Sequence, residues 1–130
     1  MPRDADLPPL SENQLEIMNI IWDRNQATVA EVWAELSKLR KVARNTVQTM
    51  LTRLEERGWL KHREEAGAFV YVPTVRRQTT LRKVVKRLVD TAFAGSADEL
   101  VMALLEGRGV SKDEAERIRQ MIDEAEGRQS

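Results

Sequence analysis

Apolar residues recur at helical spacing over most of the chain, and polar start signals precede these periods. Residues 11–14 (Ser-Glu-Asn-Gln) and 28–31 (Thr-Val-Ala-Glu) have the spacing of a capping box, and an apolar period with i, i+3, i+4 spacing follows each of them. A third helix is predicted over residues 43–58, which close with Gly58, a residue type common just after a helix. Because alanine is a poor N-cap, either Ala43 or Asn45 marks its start.

The pattern changes to β-prone residues after Gly58. Residues 59–63 (Trp-Leu-Lys-His-Arg) and 68–72 (Ala-Phe-Val-Tyr-Val) flank a Glu-Glu-Ala-Gly segment, and Pro73 follows the second run. Two such runs around a glycine-containing turn predict a β-hairpin. Three helices and a hairpin within about 65 residues are the arrangement of a winged helix-turn-helix domain.

Three further helices are predicted beyond Pro73, with capping-box spacings at residues 96–99 and 111–114 before the last two. Their apolar residues form no closed core among themselves. Packing onto the winged helix would cover them, but pairing with a second copy of the chain is the more economical solution, so we predict a homodimer. The residues expected at this interface are Leu81, Val85, Leu88, Leu100, Leu104, Ile118, Met121 and Ile122.

The sequence therefore predicts a mainly α-helical protein with four segments. Residues 1–10, which hold three of the four prolines, are expected to be a flexible arm. Residues 11–74 are predicted to be a winged-helix DNA-binding domain and residues 75–126 a helical dimerisation domain. Residues 127–130 are expected to fray.

Charge is unevenly distributed, although the chain is neutral overall. Residues 37–94 carry 14 basic and 5 acidic side chains, whereas residues 1–36 carry 2 basic and 7 acidic, and residues 95–130 carry 5 basic and 9 acidic. A basic middle between acidic ends indicates a surface for a polyanion such as DNA. Internal pairing of the basic residues with acidic neighbours is the alternative explanation.

The third predicted helix has a polar face opposite its apolar stripe. In isolation such a face is most simply a solvated helix surface, but beside a hairpin and within the basic block it favours recognition of the DNA major groove. The side chains expected to contact bases are Asn45, Thr46, Gln48, Thr49 and Arg53. Those expected to contact phosphates are Lys38, Lys41, Arg44, Lys61 and Arg63. For Thr52 a hydroxyl bonded to its own backbone is an equally good interpretation. Glu64 and Glu65 near the hairpin tip would repel phosphate, which leaves open whether the hairpin touches DNA.

Residue types exclude several classes of site. The chain has no cysteine and His62 is its only histidine, so thiol–imidazole nucleophiles and His- or Cys-rich metal sites are excluded, and no glycine-rich phosphate loop occurs. We therefore predict no catalytic site, no metal and no cofactor. No apolar run is long enough to span a bilayer, and the N-terminus lacks the apolar core of a signal peptide, so a cytoplasmic protein is expected.

Several motifs between about residues 10 and 122 occur together in one group of regulators. They are residues 16–22 (Glu-Ile-Met-Asn-Ile-Ile-Trp), 45–47 (Asn-Thr-Val), 51–54 (Leu-Thr-Arg-Leu), Gly58, Tyr71 and residues 93–96 (Phe-Ala-Gly-Ser). In these the chain resembles the penicillinase repressor family, of the BlaI/MecI/CopY type. The resemblance implies a homodimeric winged-helix repressor on an inverted-repeat operator, in front of its own operon and of β-lactamase-like or stress genes.

The resemblance also implies a membrane-embedded sensor metalloprotease as a partner, whose signal leads to cleavage of the repressor. In the β-lactam-responsive branch the cut bond joins Asn to Phe, whereas this chain has Ala103 and Leu104 at the matching position. The cysteine cluster of the copper-responsive branch has no counterpart here. A sequence-specific repressor is the leading hypothesis; a winged-helix protein-interaction module or a non-specific DNA-binding protein is the alternative.

Overall fold

The structure, a computed structural model, describes residues 7–129. The chain divides into two compact units at Lys83 and Val84. The first contains helices α1 (Glu12–Arg24), α2 (Val29–Ser37) and α3 (Arg44–Glu56) and strands β1 (Ala27–Thr28), β2 (Leu60–Glu65) and β3 (Ala68–Pro73). Helix α4 (Arg77–Ala92) runs across the division, and helices α5 (Ala97–Glu106) and α6 (Lys112–Gln129) complete the second unit.

The predicted fold class is confirmed, since three helices and a hairpin precede three further helices. The domain boundary differs from the prediction, because the division falls within α4 and not before it, at residue 75. Two hydrogen bonds give the physical reason. The Trp22 indole N–H donates to the Val75 carbonyl at 3.0 Å, and Arg77 Nε donates to Asn19 Oδ1 at 3.0 Å. They tie the start of α4 to α1, so this part of α4 belongs to the first unit.

Both predicted capping boxes of the first unit are present. The Ser11 hydroxyl accepts from the Gln14 backbone N–H at 3.2 Å, while the Gln14 side chain accepts from the Ser11 N–H at 2.9 Å. Thr28 and Glu31 form the same reciprocal pair at the start of α2. The two N–H groups that each box satisfies would otherwise lack a partner, which is why these sequence signals located the helix starts well.

The first unit encloses a continuous apolar core. The largest fully buried side chains are Ile17, Met18, Ile21, Val32, Leu36, Val47, Leu51 and Leu54. Full burial of one aliphatic side chain contributes roughly 1.5–3 kcal/mol, whereas an exposed ion pair contributes about 0–1 kcal/mol. The core therefore dominates the stability of this unit, and it fixes the orientation of α3.

The hairpin belongs to a three-stranded antiparallel sheet of order β1-β3-β2. Strand β1, which was not predicted, pairs Ala27 with Tyr71 and Thr28 with Val70. Its two residues are too few to show an alternating pattern. The predicted hairpin is confirmed, but β2 extends to Glu65, so that only Ala66 and Gly67 form the turn. Both have positive φ, +50° and +80°, as a two-residue turn between twisted strands requires.

The prediction of a flexible arm over residues 1–10 is wrong for residues 7–10, and residues 1–6 lie outside the described residues. Leu7 and Leu10 pack against the core. The Trp59 indole N–H donates to the Pro8 carbonyl at 3.0 Å. Apolar contact and a partly buried hydrogen bond therefore hold this segment, whose proline content had suggested a loose chain.

The second unit begins its helices with single or reciprocal caps. Ser111 and Glu114 form the predicted reciprocal pair, with backbone nitrogen to side-chain oxygen distances of 3.0 and 3.3 Å. At α5 only half of the predicted box forms: the Ser96 hydroxyl accepts from the Glu99 N–H at 3.2 Å, but the Ser96 N–H donates to the Phe93 carbonyl at 2.8 Å and not to the Glu99 side chain. Helix α6 continues to Gln129, so the expectation of a frayed tail from residue 127 is wrong as far as Gln129; Ser130 lies outside the described residues.

Apolar side chains of the second unit are exposed. No residue of α5 is buried, and the exposed fractions of Val85, Leu88, Leu104 and Ile118 are between 38% and 49%. Met121 and Ile122 of α6 are 62% and 52% exposed. Leu100 of α5 is half-buried, and so is Leu81, which lies on the part of α4 that belongs to the first unit. In residues 7–129 no helix is both long and apolar enough to cross a membrane.

Candidate nucleic-acid interface

Helix α3 turns its polar face to solvent. The residues predicted to contact bases are all exposed: Asn45, Thr46, Gln48, Thr49 and Arg53. All of them except Thr46 line one open depression, which Thr52 and Glu56 complete. Residues three, four and seven or eight positions apart share a helix face, so the spacing alone brings them together. Because the opposite face of α3 is locked in the core, this depression has a fixed position on the first unit.

Helix α3 begins without a side-chain cap. Ala43 is the N-cap and Arg44 the first helical residue, so the helix starts at the earlier of the two predicted positions. No acidic residue occupies the first turn. The positive end of the helix dipole and the backbone N–H groups of the first turn therefore face no carboxylate from that turn. Such a helix start favours binding of a phosphate group.

Two threonines of the depression use their hydroxyl protons within the helix. Thr49 Oγ1 donates to the Asn45 carbonyl and Thr52 Oγ1 to the Gln48 carbonyl, each at 3.0 Å. The backbone-bonded interpretation of Thr52 is thus confirmed. The hydroxyl of Thr49 keeps only its acceptor capacity, and its methyl group is suited to the methyl group of thymine. Donors to bases in the depression come instead from Asn45, Gln48 and Arg53.

The cations predicted to contact phosphates fall into two groups. Lys41, Arg44 and Lys61 are exposed and form no ion pair among the described residues. Lys38, by contrast, lies 3.2 Å from a Glu35 carboxylate oxygen. Arg63 donates to Glu65 on the same strand and, at 2.9 Å, to the Gln26 side chain. Only the first group offers cations without an internal partner.

Glu56 is a residue of the depression that was not predicted. It lies one helical turn beyond Arg53, and the 3.6-residue period could have placed it there. A carboxylate only accepts hydrogen bonds and repels phosphate. This end of the depression therefore suits the amino group of a base better than the DNA backbone.

A cluster of side chains joins α3 to the hairpin. His62 Nδ1 on β2 lies 2.7 Å from each carboxylate oxygen of Glu55 on α3. The imidazole stacks on the Phe69 ring, with centroids 4.1 Å apart and planes at 17°, and the Tyr71 ring lies 5.8 Å away. Burial raises the pKa of the Tyr71 hydroxyl above its usual 10.0, a hydrogen bond with Thr52 opposes the rise, and the Glu55 carboxylate adds to it.

This cluster was not predicted either. Alternation along each strand places His62 on one face of β2, and Phe69 and Tyr71 on one face of β3, which the sequence could have shown. The partner Glu55 comes from a different element, and no local pattern indicates that contact. In the described part of the chain, no group of three or more His, Asp or Glu side chains is placed to hold a metal ion.

Comparison with known proteins identifies the family to which this fold belongs. Residues 10–124 match the penicillinase repressor family. The chain belongs to the penicillinase repressor family. The penicillinase repressor of Bacillus licheniformis is 30% identical over 122 residues, which are 94% of this chain and 95% of that protein.

Two solved structures of the repressor BlaI are similar to this member of the penicillinase repressor family. The DNA-binding domain of BlaI has 38% sequence identity and a TM-score of 0.52, and the match covers 59% of this chain and 90% of that domain. Monomeric BlaI from Bacillus licheniformis, in complex with the blaP half-operator, has 39% identity and a TM-score of 0.50, over 55% of this chain and 88% of that one. The protein is thus a winged-helix repressor of this family and not an enzyme.

Proposed function

We propose that this protein is a sequence-specific transcriptional repressor that binds as a homodimer to an inverted-repeat operator. The observation that carries the proposal is the exposed face of α3, on which Asn45, Gln48 and Arg53 present base-reading donors beside unpaired cations. Amide and guanidinium groups pair bidentately with adenine and guanine in the major groove, and each such pair discriminates by about 1–3 kcal/mol. The proposed targets are its own operon and β-lactamase-like or stress genes.

The roles of the basic side chains follow from their partners. Within residues 7–129 no carboxylate pairs with Lys41, Arg44 or Lys61, so we assign to them the phosphate contacts that set the register of α3. Lys38 and Arg63 contribute less in this proposal, because each first has to give up a partner on its own surface. The exposed carboxylate of Glu64 repels phosphate near the tip of the hairpin of β2 and β3, which we call the wing. We therefore place the contact of the wing with DNA at the base of the hairpin, at Lys61.

The proposed homodimer is supported by the apolar side chains that the second unit leaves uncovered. Solvent exposure of Val85, Leu88, Leu104, Met121 and Ile122 is unfavourable, and a second copy of the same segment would cover them. A homodimer places two copies of α3 on two half-sites, and this pairing raises both affinity and specificity. The structure of monomeric BlaI with a half-operator supports one winged helix for each half-site.

A membrane sensor metalloprotease is proposed as the partner that relieves repression. The bond between Ala103 and Leu104 lies inside α5, where the Ala103 carbonyl accepts from the Gly107 N–H at 2.9 Å. A protease cleft generally takes an extended segment, so cleavage at this bond requires α5 to unfold locally first. No residue of α5 is buried, so local unfolding of this helix requires little free energy.

Two substitutions on the interface test the proposal. Binding is measured to DNA from the protein's own upstream region and to a scrambled duplex of equal length, at several salt concentrations. Gln48→Ala removes a base-reading amide, so we expect it to weaken operator binding by about 1–3 kcal/mol and to leave scrambled DNA almost unaffected. Lys41→Ala removes a phosphate contact, so we expect it to weaken both and to reduce the salt slope by about one.

The wild type supplies the decisive comparison. Equal affinity for operator and scrambled DNA, falling in parallel with salt, would identify a non-specific DNA-binding protein. Weak binding to both, without salt dependence, would favour a protein-interaction module. Loss of affinity in both variants with unchanged discrimination would overturn the assignment of roles on α3.

A further inference from the structure

The contact between His62 and Glu55 joins the two elements that would meet DNA. Glu55 lies on α3 one residue before Glu56, and His62 lies on the wing strand that also carries Lys61. Both His62 Nδ1 to carboxylate oxygen distances are 2.7 Å, which is within the range of a charge-assisted hydrogen bond. Stacking on Phe69 fixes the plane of the imidazole, so the ring has one orientation towards α3.

Tyr71 of the same cluster lies close to the base-reading helix. Tyr71 lies against His62 and approaches Thr52 of α3, and the Thr52 hydroxyl donates to the Gln48 carbonyl at 3.0 Å. Gln48 is one of the side chains placed for base contact. The hydrogen bond of His62 with Glu55 therefore joins β2 to α3 directly, and Tyr71 approaches the same helix beside it.

We propose that His62 is a positioning residue for operator recognition, which holds the wing and α3 at a fixed angle through Glu55 and makes discrimination between DNA sequences depend on pH. This inference rests on the function proposed above. His62 touches no base in this scheme. It acts through Glu55 on the placement of Gln48, because hydrogen bonds to base edges weaken steeply when donor and acceptor are misaligned.

The direction of the pH dependence follows from the groups that face the ring. Helix α3 presents the Glu55 carboxylate, β3 presents the Tyr71 hydroxyl, and Glu64 follows on the same face of β2. The raised pKa of Tyr71 keeps that group neutral near neutral pH. A proton on the imidazole therefore faces the carboxylates of Glu55 and Glu64, so a charged ring holds Glu55 more strongly than a neutral ring does.

The chain contains a single histidine, which makes the test specific. Histidine is the side chain whose ordinary charge change lies between about pH 5 and 8. We measure the ratio of affinities for operator and scrambled DNA over this range with the full chain. In the wild type we expect the ratio to fall about three- to tenfold from the acid to the alkaline end, as weakening of one charge-assisted hydrogen bond would produce.

Three variants separate the contributions. His62→Gln keeps a neutral amide donor towards Glu55, so we expect an intermediate ratio that no longer changes with pH. Glu55→Gln keeps the imidazole but removes the carboxylate charge that it faces, so we expect the affinity ratio again not to change with pH. His62→Ala also removes the stacking partner of Phe69 and gives the lowest ratio; if it fails to fold, the two glutamine variants still decide.

Lys61→Gln is the matched control on β2, since loss of one cation lowers both affinities in parallel and leaves the ratio and its pH profile as in the wild type.

The outcomes separate this inference from the proposed function. A wild-type ratio that falls with pH, together with flat profiles in both glutamine variants, supports the positioning role. A discriminating wild type whose ratio and profile are retained in His62→Gln and Glu55→Gln overturns the positioning role and leaves the repressor intact. A wild type that prefers no sequence at any pH overturns the proposed function, and with it a role of His62 in operator recognition.

Discussion

The two units of this chain differ in the solvent exposure of their apolar side chains, which are buried in the first unit and exposed in the second. Leu51 of α3 and Leu36 of α2 have no solvent exposure, whereas Met121 and Ile122 of α6 are more than half exposed. Both sets come from the same i, i+3, i+4 pattern in the sequence. The pattern thus identifies which side of a helix is apolar, and it does not identify what covers that side.

This difference predicts two kinds of stability. The first unit buries its core within one chain, so its stability is independent of protein concentration. The second unit, if its apolar faces are covered by another copy, gains stability by mass action and loses it on dilution. Substitutions placed in the two units should therefore differ in how their effects depend on concentration.

The largest effect is expected from Leu51→Ala in the core of the first unit. Removal of a fully buried leucine side chain leaves a cavity and costs about 2–5 kcal/mol of unfolding free energy. Denaturant unfolding at two protein concentrations measures it, and the loss should be the same at both. Glu56→Gln, on the exposed face of the same helix, is the control and should change stability by no more than about 0.5 kcal/mol. A concentration-dependent loss in Leu51→Ala would contradict a self-contained first unit.

The next largest effect is expected from Ile122→Asp in α6, and it concerns assembly. Burying a carboxylate in an apolar interface is unfavourable, so we expect the dimer dissociation constant to rise on the order of a hundredfold. Sedimentation over a range of concentrations measures it. The matched control is Gln120→Asp, which places the same charge two residues away at an exposed polar position. An unchanged dimer in Ile122→Asp would remove α6 from the interface.

The smallest effect is expected from the capping boxes, the feature that the two units share. The Thr28 N–H and, after it, the Arg24 guanidinium lower the pKa of Glu31 from 4.5, and Arg108 and the Ser111 N–H lower the pKa of Glu114. A carboxyl with a lowered pKa in the folded state stabilises the fold above its unfolded pKa, and this contribution is lost as the pH falls through the folded pKa.

Glu31→Gln keeps a side chain that can cap but removes the charge. At neutral pH we expect it to lower the melting temperature by about 1–2 °C, a small change because the Glu31 side chain is 44% exposed and its ion pair is screened by solvent. Thermal unfolding at about pH 7 and about pH 3 measures it, and the difference from the wild type should shrink at the lower pH. Glu124→Gln, at an exposed position of α6, is the control and should show no such convergence. A difference of the same size at both pH values would mean that the charge of Glu31 is not its cause.

Prediction from the sequence succeeded where a signal was local. Ser11, Thr28 and Ser111 located helix starts because the groups that they satisfy lie three residues away in the chain. The period of α3 separated Leu51 and Leu54 from Asn45 and Gln48 for the same reason. At α5 the box was only half formed, since a matching spacing permits the Ser96 N–H to donate to Glu99 but does not require it, and here it donates to the Phe93 carbonyl.

Prediction failed where two distant segments meet. Residues 7–10 contain two prolines and looked flexible, yet Leu7, Pro8 and Leu10 are held by the core and by Trp59. The two residues of β1 became a strand only because β3 lies beside them. The prediction that Lys38 and Arg63 contact phosphates stays untested, but the sequence did not show that Glu35 and Glu65 engage them on the folded surface.

The sequence by itself determined the helices, the hairpin and the polar face of α3, because hydrogen-bonding partners and side-chain periods within one element depend on neighbours in the chain. The tertiary structure decided which cations are unpaired, which segment closes the sheet, and that Glu55 meets His62 at 2.7 Å. These contacts join residues of separate elements, and their geometry is set by how the core orients α3 against the wing. Local patterns carry no record of that orientation.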